Sequence, residues 1–291
     1  IGRAAEGLRE VAGKHGPDSV ALFISPRLTS EEAWSLLRLA RDGIGTSSVG
    51  SFGLALESGV FAAIESTLGR PASTASYDSL RSADCILMLD SDIAEEQTVL
   101  GIEVRKAAAD GAKLVVVSPE RTRMAGLAHV WIRAERARYG DVLSRLIDRA
   151  ISSGVEPKNV PFRIEGLDEL LGQAESVGLD ASVSSGTFEE VADLLSGADS
   201  TVLVASSRSF EPSTAGRDAM LAVAWSAVTG TATADRGGIL FMRSRCNGQG
   251  LADLGVGPDT ERLAADMESG AIRAALIVGE DLGNVPDGLR A

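Results

Sequence analysis

Four carboxylates crowd one short segment of the chain. Asp90-Ser91-Asp92 comes directly after an apolar run at 85–89, and Glu95-Glu96 follows three residues later. In open parallel sheets, ligands bind beyond the carboxyl ends of the strands, where helix N-termini present N–H groups. Like charges a few ångströms apart repel each other, so this loop is poorly suited to a pyrophosphate. Acidic residues also favour helix N-termini, and a capped, solvated helix terminus is the simpler interpretation.

A second polar segment, at 243–255, is rich in glycine. It contains Arg243 and the run Asn247-Gly248-Gln249-Gly250. Guanidinium and amide groups offer planar sets of hydrogen-bonding atoms, and glycine lets a backbone approach a ligand closely. The segment therefore fits a loop that touches a polar cofactor or another domain. It fits equally well a compact Ω-type loop whose side chains bond to its own backbone.

Residues that commonly bind metals are sparse. Cys85, Cys246, His15 and His129 lie far apart in the sequence. No spacing among them matches a zinc or iron–sulfur site, so we predict packing or structural roles for all of them and no metal site. The sequence also contains no G-x-G-x-x-G and no Walker A motif, which leaves an ordinary NAD or ATP site unsupported.

The elements that would position these residues follow from the hydrophobic pattern. Short apolar runs alternate with amphipathic segments, as in βα units of a mostly parallel sheet. Thr29 and Glu32 are spaced as a capping box at the start of a helix. Strands are predicted at 19–24, 83–89, 112–117, 130–132, 201–205 and 274–278, and helices at 29–41, 54–68, 94–109, 166–177, 187–195, 213–229 and 260–269. A loop-rich stretch is expected from Gly237 to Gly257.

Composition excludes several classes of protein. The chain has 28 Lys+Arg against 41 Asp+Glu, a formal net charge of −13 that argues against a nucleic-acid groove. A hydrophobic share of 44% excludes disorder and fibres. No run of about 18 apolar residues predicts a membrane span. Since the chain opens at Ile1 within an amphipathic helical pattern, we expect it to be part of a longer protein.

Four stretches in this order resemble the molybdopterin oxidoreductases, a family that includes formate dehydrogenase alpha subunits and the large iron–sulfur subunit of NADH-quinone oxidoreductase (complex I). They begin GPDSVALFISPR at 16, SADCILMLDSDI at 82, GGILFMRSRCNGQG at 237 and AALIVGEDLGN at 274. The resemblance implies an α/β fold with two Rossmann-like domains, one inserted in the other. It places a discontinuous domain at 1–48 with 238–291 and the inserted domain at 49–237. A linear cut near 152–161 is the alternative.

The resemblance also shows where this sequence departs from the family. Formate dehydrogenases carry a Cys or selenocysteine metal ligand, with a His beside it, shortly after an Ile-Gly-Thr segment. Here the range 43–66 contains neither Cys nor His. A serine ligand, which some relatives use, is left open by serines within this range, among them Ser47, Ser48, Ser51 and Ser58.

The nucleotide contacts depart as well. A family Gly-Ser-Asn that approaches the pterin nucleotide is replaced by Asp90, Ser91 and Asp92. A family Asp-Pro-Arg that holds the guanosine is replaced by a segment with Ser118 and Glu120.

The glycine-rich loop is the part that still matches the family. Arg243 aligns with a substrate-side arginine of formate dehydrogenases, and Asn247, Gln249 and Gly250 belong to a loop that matches the pterin side.

These departures predict a scaffold. We expect a domain of an electron-transfer subunit, like the large iron–sulfur subunit of complex I, that binds no molybdenum cofactor and is not catalytic by itself. Iron–sulfur clusters would lie in upstream domains, and the C-terminal cap of the molybdenum enzymes is also missing from this sequence. Partners would be other subunits or domains of an electron-transfer complex. The expected location is the cytoplasm, with contact to the inner membrane only through partner subunits.

Two alternatives compete with the scaffold. The first is a fragment of a formate dehydrogenase-like catalytic subunit that binds molybdopterin guanine dinucleotide, with Arg243 stabilising substrate charge. The second is a stand-alone small-molecule-binding domain.

Overall fold

The computed structural model describes residues 1–55, 57–153, 185–232, 237–257 and 260–280. They group into two compact units, Ile1–Ser58 with Arg243–Ala291, and Gly59–Met242. The helix predicted at 166–177 lies outside the described residues, as does most of the connection at 152–161. Within the described part of the chain, no helix is long and apolar enough to cross a membrane.

Strands and helices alternate along the chain, and every described strand pair is parallel. The strands are β1 (Val20–Ile24), β2 (Val49–Gly50), β3 (Cys85–Leu89), β4 (Lys113–Ser118), β5 (Val130–Arg133), β6 (Thr201–Ser206), β7 (Gly237–Met242) and β8 (Ala274–Val278). The helices are α1 (Gly2–His15), α2 (Ser30–Arg38), α3 (Phe52–Ala55), α4 (Ser58–Leu68), α5 (Tyr77–Arg81), α6 (Ile93–Glu96), α7 (Thr98–Ala109), α8 (Tyr139–Ser152), α9 (Ser185–Ser196), α10 (Ala215–Val228), α11 (Gly248–Asp253) and α12 (Thr260–Glu268). This is the predicted α/β fold with two mostly parallel sheets.

The first unit is built on a three-stranded sheet with the order β2-β1-β8. The central strand β1 is completely buried, which explains its unbroken apolar run. Phe23 of this strand stacks on Phe52 with ring centroids 4.3 Å apart. The predicted capping box is confirmed, since Thr29 accepts from the Glu32 N–H and the Glu32 carboxylate accepts from the Thr29 N–H. The helix ends at Arg38 and continues as a π-helical turn to Ile44, where the prediction ran to Arg41.

The second unit holds a five-stranded sheet with the order β5-β4-β3-β6-β7. Residues of β3 alternate between its faces. Cys85, Leu87 and Leu89 pack with α4, α8, α9 and α10, whereas Ile86 and Met88 pack with α5, α6 and α7. Helices on both faces are the expected cover for a buried parallel sheet. Cys85 is buried in this core, which is the predicted packing role, and burial raises the pKa of its thiol to about 12.

Cys246 does not have that role. Its side chain is exposed, so the packing prediction was wrong for this residue.

Three of the α-helices and strands described in the second unit were not predicted, and one of them is the short helix α5. The loop-rich interpretation is wrong at Gly237–Met242, which forms strand β7 beside β6. Its glycines suggest a turn, but a Cβ on Gly238 would stand 2.9 Å from the backbone nitrogen of Ala75, so glycine is required there by close packing. Helix α8 was also missed, although Val142, Leu146 and Ala150 recur at helical spacing and are all buried.

A buried carboxylate joins α5 to α7 and gives the fold a measurable pH dependence. Glu103 accepts from Arg81 Nε at 2.6 Å and from Lys106 Nζ at 3.1 Å, and its side chain is 7% exposed. These two cations hold its pKa at about 2, below the ordinary value of 4.5. A carboxyl whose pKa is lowered by folding stabilises the protein above its unfolded pKa and loses that contribution as the pH falls.

We therefore expect Glu103→Gln to be less stable than the wild type at pH 7. The difference should narrow as the pH falls from about 4.5 toward 2, because protonation then removes the same interaction from the wild type. Urea unfolding at a series of pH values measures this difference in the free energy of unfolding. Glu65→Gln, on the exposed side of α4, controls for the change in net charge. A difference for Glu103→Gln that stays constant across this range would contradict the assignment.

Candidate functional site

The order of strands in the second unit locates a natural ligand crevice. From β3 the chain proceeds through β4 to β5 on one side of the sheet, and from β6 to β7 on the other. In sheets of this kind, ligands bind at the carboxyl ends of the two strands where the direction reverses. The loops that leave β3 and β6 carry Asp90–Asp92 and Ser207–Ser209, so the predicted acidic loop does lie at this position.

Asp90 is fully buried and both of its carboxylate oxygens are bonded. Oδ1 accepts from the N–H of Ile93 at 2.8 Å, and Oδ2 accepts from the Thr122 hydroxyl. Its carbonyl oxygen accepts from the Tyr139 hydroxyl at 2.7 Å. The Asp90 carboxylate accepts a hydrogen bond from the first residue of α6, as was expected of a capping residue. The expectation that this helix terminus is solvated was wrong for Asp90, because its side chain is buried.

Ser91 extends the same hydrogen-bond network toward β6. Its hydroxyl oxygen lies 2.8 Å from that of Ser206, and Glu96 Oε2 lies within 3.1 Å and 3.2 Å of these two oxygens. Glu96 Oε1 is 3.4 Å from Arg208 Nε. The carboxyl ends of β3 and β6 therefore carry two serines that are hydrogen-bonded to each other. Beside them lies the Glu96 carboxylate, which pairs with Arg208.

Asp92 has an unusual backbone. Its φ is 69°, and it is the one non-glycine residue with positive φ in the described ranges. Its side chain makes no capping bond to α6. An L-residue in this left-handed region is strained, although Asp and Asn tolerate it better than most.

Ser118 and Glu120 form a local turn at the end of β4. The buried Ser118 hydroxyl donates to the carbonyl of Glu120 at 2.7 Å and accepts from Trp131 Nε1 at 2.9 Å. The Glu120 side chain is exposed. These groups bond within their own chain, and the exposed Glu120 carboxylate adds negative charge at the end of β4.

The first unit holds the glycine-rich loop, with Arg243 at its start. Arg243 Nη1 lies 3.2 Å from Glu57 Oε2, and Arg243 Nε donates to Gln249 Oε1 at 3.2 Å. The Ser244 N–H donates to Glu57 Oε1. The Arg243 and Glu57 side chains are 8% and 3% exposed. Burial lowers the pKa of the Arg243 guanidinium, and Glu57 opposes this shift.

The amides of this loop are directed at its own unit. Asn247 Nδ2 donates to the Leu28 carbonyl at 2.8 Å, and Asn247 Oδ1 accepts from the Ser30 hydroxyl at 3.3 Å. A Cβ on Gly250 would stand 2.7 Å from the Ser30 hydroxyl oxygen, so this glycine is needed for internal packing. These contacts favour the self-bonded loop over a loop held open for a ligand.

The candidate serine ligands are bonded internally as well. Ser47 donates to Asp18 Oδ1 at 2.9 Å, Ser48 donates to the Asp18 carbonyl at 3.3 Å, and Ser58 donates to the Ala55 carbonyl at 2.8 Å. The oxygen of the buried Ser51 accepts from the N–H of Leu54 in α3 at 3.4 Å.

The residues do not fit a bound molybdenum–pterin nucleotide. At the crevice of the second unit, carboxylates stand where a pyrophosphate needs donors, and the Ile93 N–H and the Thr122 hydroxyl already donate to Asp90. In the first unit, the arginine is neutralised by a carboxylate of the same chain. The described residues contain no group of three or more His, Cys, Asp or Glu side chains that could hold a metal ion.

The residues that complete both sites are partners that the sequence pattern did not reveal. Glu57, Thr122 and Tyr139 were not singled out, although each bonds directly to a predicted site residue. Glu57 carried a usable signal, because it is a lone carboxylate within the mostly apolar stretch from Phe52 to Ile64. A buried carboxylate requires a partner, which could have prompted a search for one.

Comparison with known proteins identifies relatives for nearly the whole chain. The family model for molybdopterin oxidoreductases matches residues 3–289. The alpha subunit of the NADPH-Fe(3+) oxidoreductase of Geobacter sulfurreducens is 26% identical over 270 residues, which is 89% of this chain and 31% of that protein. Other relatives are named formate dehydrogenase or nitrate reductase, at 23–31% identity. This chain spans about a third or less of the length of these curated relatives.

Two solved structures share the fold. Acetylene hydratase from Pelobacter acetylenicus superposes with a TM-score of 0.61 at 19% identity, over 79% of this chain and 32% of that one. A chain of the formyltransferase/hydrolase complex from Methylorubrum extorquens gives a TM-score of 0.58 at 14% identity, over 97% of this chain and 77% of that one. At these identities the likeness concerns the fold alone.

The bonds of Asp90 give a test of how the crevice is held. Asp90→Gly should lower the free energy of unfolding by about 3 kcal/mol, because it removes a buried carboxylate and leaves the Ile93 N–H and the Thr122 hydroxyl without their acceptor. Urea unfolding measures this loss. Asp92→Asn, two residues away, is the matched control and should change stability by less than about 0.5 kcal/mol, since Asn tolerates positive φ. Equal effects of the two substitutions would contradict the role of Asp90.

Proposed function

The chain belongs to the molybdopterin oxidoreductase family, and on that premise we propose that it is a structural domain of an electron-transfer subunit that holds no molybdenum cofactor of its own. In this proposal it resembles the large iron–sulfur subunit of NADH-quinone oxidoreductase. Electrons would pass through iron–sulfur clusters in domains outside these 291 residues. The domain would contribute shape and contacts, and no catalytic group.

One observation carries this proposal, namely the state of the crevice between β3 and β6. Two of its carboxylates are bonded or paired within the chain, with Asp90 bonded to Ile93 and Thr122 and with Glu96 beside Arg208. A pyrophosphate entering here would meet these carboxylates at close range and would have to break their bonds. Both changes cost free energy in a site of low dielectric.

The fold itself does not require redox chemistry. Folds of this kind host unrelated functions, and function depends on the groups grafted onto them. The chain of the formyltransferase/hydrolase complex has this fold, and this chain covers 77% of it. That likeness concerns the fold alone, and it shows this fold in a chain of a complex named for formyl transfer and hydrolysis.

A formate dehydrogenase-like catalytic fragment is the second candidate. Relatives named formate dehydrogenase support it, as does an arginine at position 243. In that case molybdopterin guanine dinucleotide would supply the redox chemistry, and Arg243 would have to exchange Glu57 for substrate. The internal ion pair is the reason that we place this candidate second.

The partners we propose are other subunits or domains of an electron-transfer complex. The relatives in Geobacter and the formate dehydrogenase relatives are themselves named alpha subunits, which supports this assignment. We propose a cytoplasmic location, with any contact to the inner membrane made through those partners.

The decisive measurement is the metal and pterin content of the full-length protein, purified in its own complex from its native host. We expect molybdenum, tungsten and oxidised-pterin fluorescence all to be well below one equivalent, because the residues do not fit the cofactor. Iron–sulfur absorption from the rest of the complex should be intact, which shows that the preparation has not simply lost its prosthetic groups.

A molybdenum enzyme of the same host, purified in parallel, controls for cofactor loss during handling. Stoichiometric metal together with pterin in the protein would overturn the scaffold proposal. It would make the formate dehydrogenase-like alternative the correct one.

A further inference from the structure

A groove on the second unit lies between helix α7 and the loop that joins β4 to β5. Its volume is about 330 Å³. The residues that line it are Ala94, Thr98, Gly101, Arg105, Arg123, Met124, Gly126 and Leu127. We call it the α7 groove, and its lining residues are distinct from those that form the crevice between β3 and β6.

The α7 groove is mostly apolar and only partly covered. Met124 is buried and packs with the core beside α7, whereas the side chain of Leu127 is 53% exposed. Val99, the neighbour of Thr98 on α7, is 59% exposed. Exposed apolar side chains beside a concave apolar site are typical of a surface that another molecule covers.

Both walls of the groove are fixed by contacts within the unit. On the loop side, the Thr122 hydroxyl donates to Asp90 and accepts from the Ala125 N–H at 3.1 Å. On the helix side, a Cβ on Gly101 would stand 2.9 Å from the Cα of Ala94, so glycine is needed where α6 and α7 pack together. The groove is therefore preformed, and a partner would lose little free energy in ordering it.

The rim of the groove carries positive charge on a protein whose net charge is −13. Arg105 is exposed, and within the described ranges the structure shows no ion pair for it. The one carboxylate in the sequence of α7, Glu103, is buried. On the opposite wall Arg123 pairs with Glu95 at 3.0 Å, but both side chains are exposed, and such a pair contributes little to stability. Both arginines can therefore meet an incoming anion.

These features select one class of partner. An apolar group is needed to fill the groove, and carboxylates are needed to meet the arginines on its two walls. A nucleic acid would bring anions, but the described residues that line the groove include no aromatic side chain on which its bases could stack. A membrane surface is disfavoured, because anionic headgroups repel a chain of this net charge. A protein segment with an apolar side chain between carboxylates meets both requirements.

We propose that the α7 groove is the docking site for an acidic segment of a partner subunit. An apolar side chain of that segment enters between α7 and Leu127, and its carboxylates pair with Arg105 and Arg123. The inference rests on the proposed function only in that both require partner subunits. Metal and pterin content do not enter it, so either proposal can fail without the other.

The first test identifies what lies beside the groove in the intact complex. Val99→p-benzoylphenylalanine is introduced into the full-length protein in its native host, and irradiation joins this side chain to its neighbour. We expect a cross-link to one segment of a different subunit, with carboxylates on both sides of an apolar residue when it is sequenced by mass spectrometry. Ile151→p-benzoylphenylalanine is the control, because Ile151 is an exposed apolar residue of α8, on the opposite face of the sheet, and it should not be joined to that segment.

The second test measures what each wall contributes to binding. A fluorescent synthetic peptide that copies the cross-linked segment is titrated with the full-length protein, and its anisotropy gives Kd. Arg105→Glu should raise Kd by about tenfold, because like charges then face each other. Leu127→Ser should raise Kd by about the same factor through the loss of apolar contact. A peptide with lysine in place of one carboxylate should recover binding to Arg105→Glu.

Two matched variants control for general effects of charge and polarity. Arg70→Glu makes the same change of charge at an exposed residue that follows α4, and Ile151→Ser removes an exposed apolar side chain from α8. Both lie on the opposite face of the sheet from α7 and should leave Kd within about twofold, because exposed charges at that separation are largely screened. All four substituted residues are exposed, and far-UV circular dichroism checks that each variant is folded.

Several results would overturn the proposal. The photoreactive residue at Val99 could be joined to lipid, to nucleic acid, to a second copy of this chain, to another part of the same polypeptide or to a segment without carboxylates, or it could give no cross-link. Equal Kd values for Arg105→Glu and Arg70→Glu would exclude the role of the arginine.

Discussion

A carboxylate that is buried at the end of a parallel strand needs hydrogen-bond donors. In the second unit this carboxylate is Asp90, and its bonds connect several elements. Asp90 joins the start of α6 through Ile93, the loop after β4 through Thr122, and the start of α8 through Tyr139. Leaving any of these buried groups without a partner would cost roughly 1–3 kcal/mol. The ends of three neighbouring elements are thus fixed by one residue at the position where a ligand would otherwise meet them.

The residues that stabilise the fold are therefore largely different from the residues at the candidate site. The sheet is held by helices packed on both faces. The loops after β4, β5 and β6 add Met124, Ala134 and Phe210 to that packing, whereas the acidic residues at 90–92 are not part of it. Loop residues can therefore change without loss of the fold, provided that each new polar group finds a partner. The family resemblance of nearly the whole chain and the misfit at the cofactor positions are compatible for this reason.

The sequence predicted the fold well because its signals are local. Unbroken apolar runs located β1, β3, β4 and β6, and the Thr29–Glu32 spacing located the start of α2. The site was harder, because its bonds connect distant segments. Glu57 and Arg243 are 186 residues apart, and Asp90 and Tyr139 are 49 apart. Strand β7 was missed for a related reason, since its glycines are explained by the close approach of Ala75 to Gly238, which periodicity does not show.

The two units solve the same electrostatic problem in the same way. In each unit, carboxylates of the chain lie beside cations or backbone N–H groups, and a helix N-terminus favours negative charge in the same way. In the first unit Glu57 compensates Arg243, and in the second unit Glu96 lies beside Arg208 while Asp90 accepts from the N–H of Ile93. These carboxylates supply the negative charge that an anionic ligand would bring. Because the chain carries its own anions at both places, the buried Arg243 guanidinium and the Ile93 N–H are compensated from within each unit.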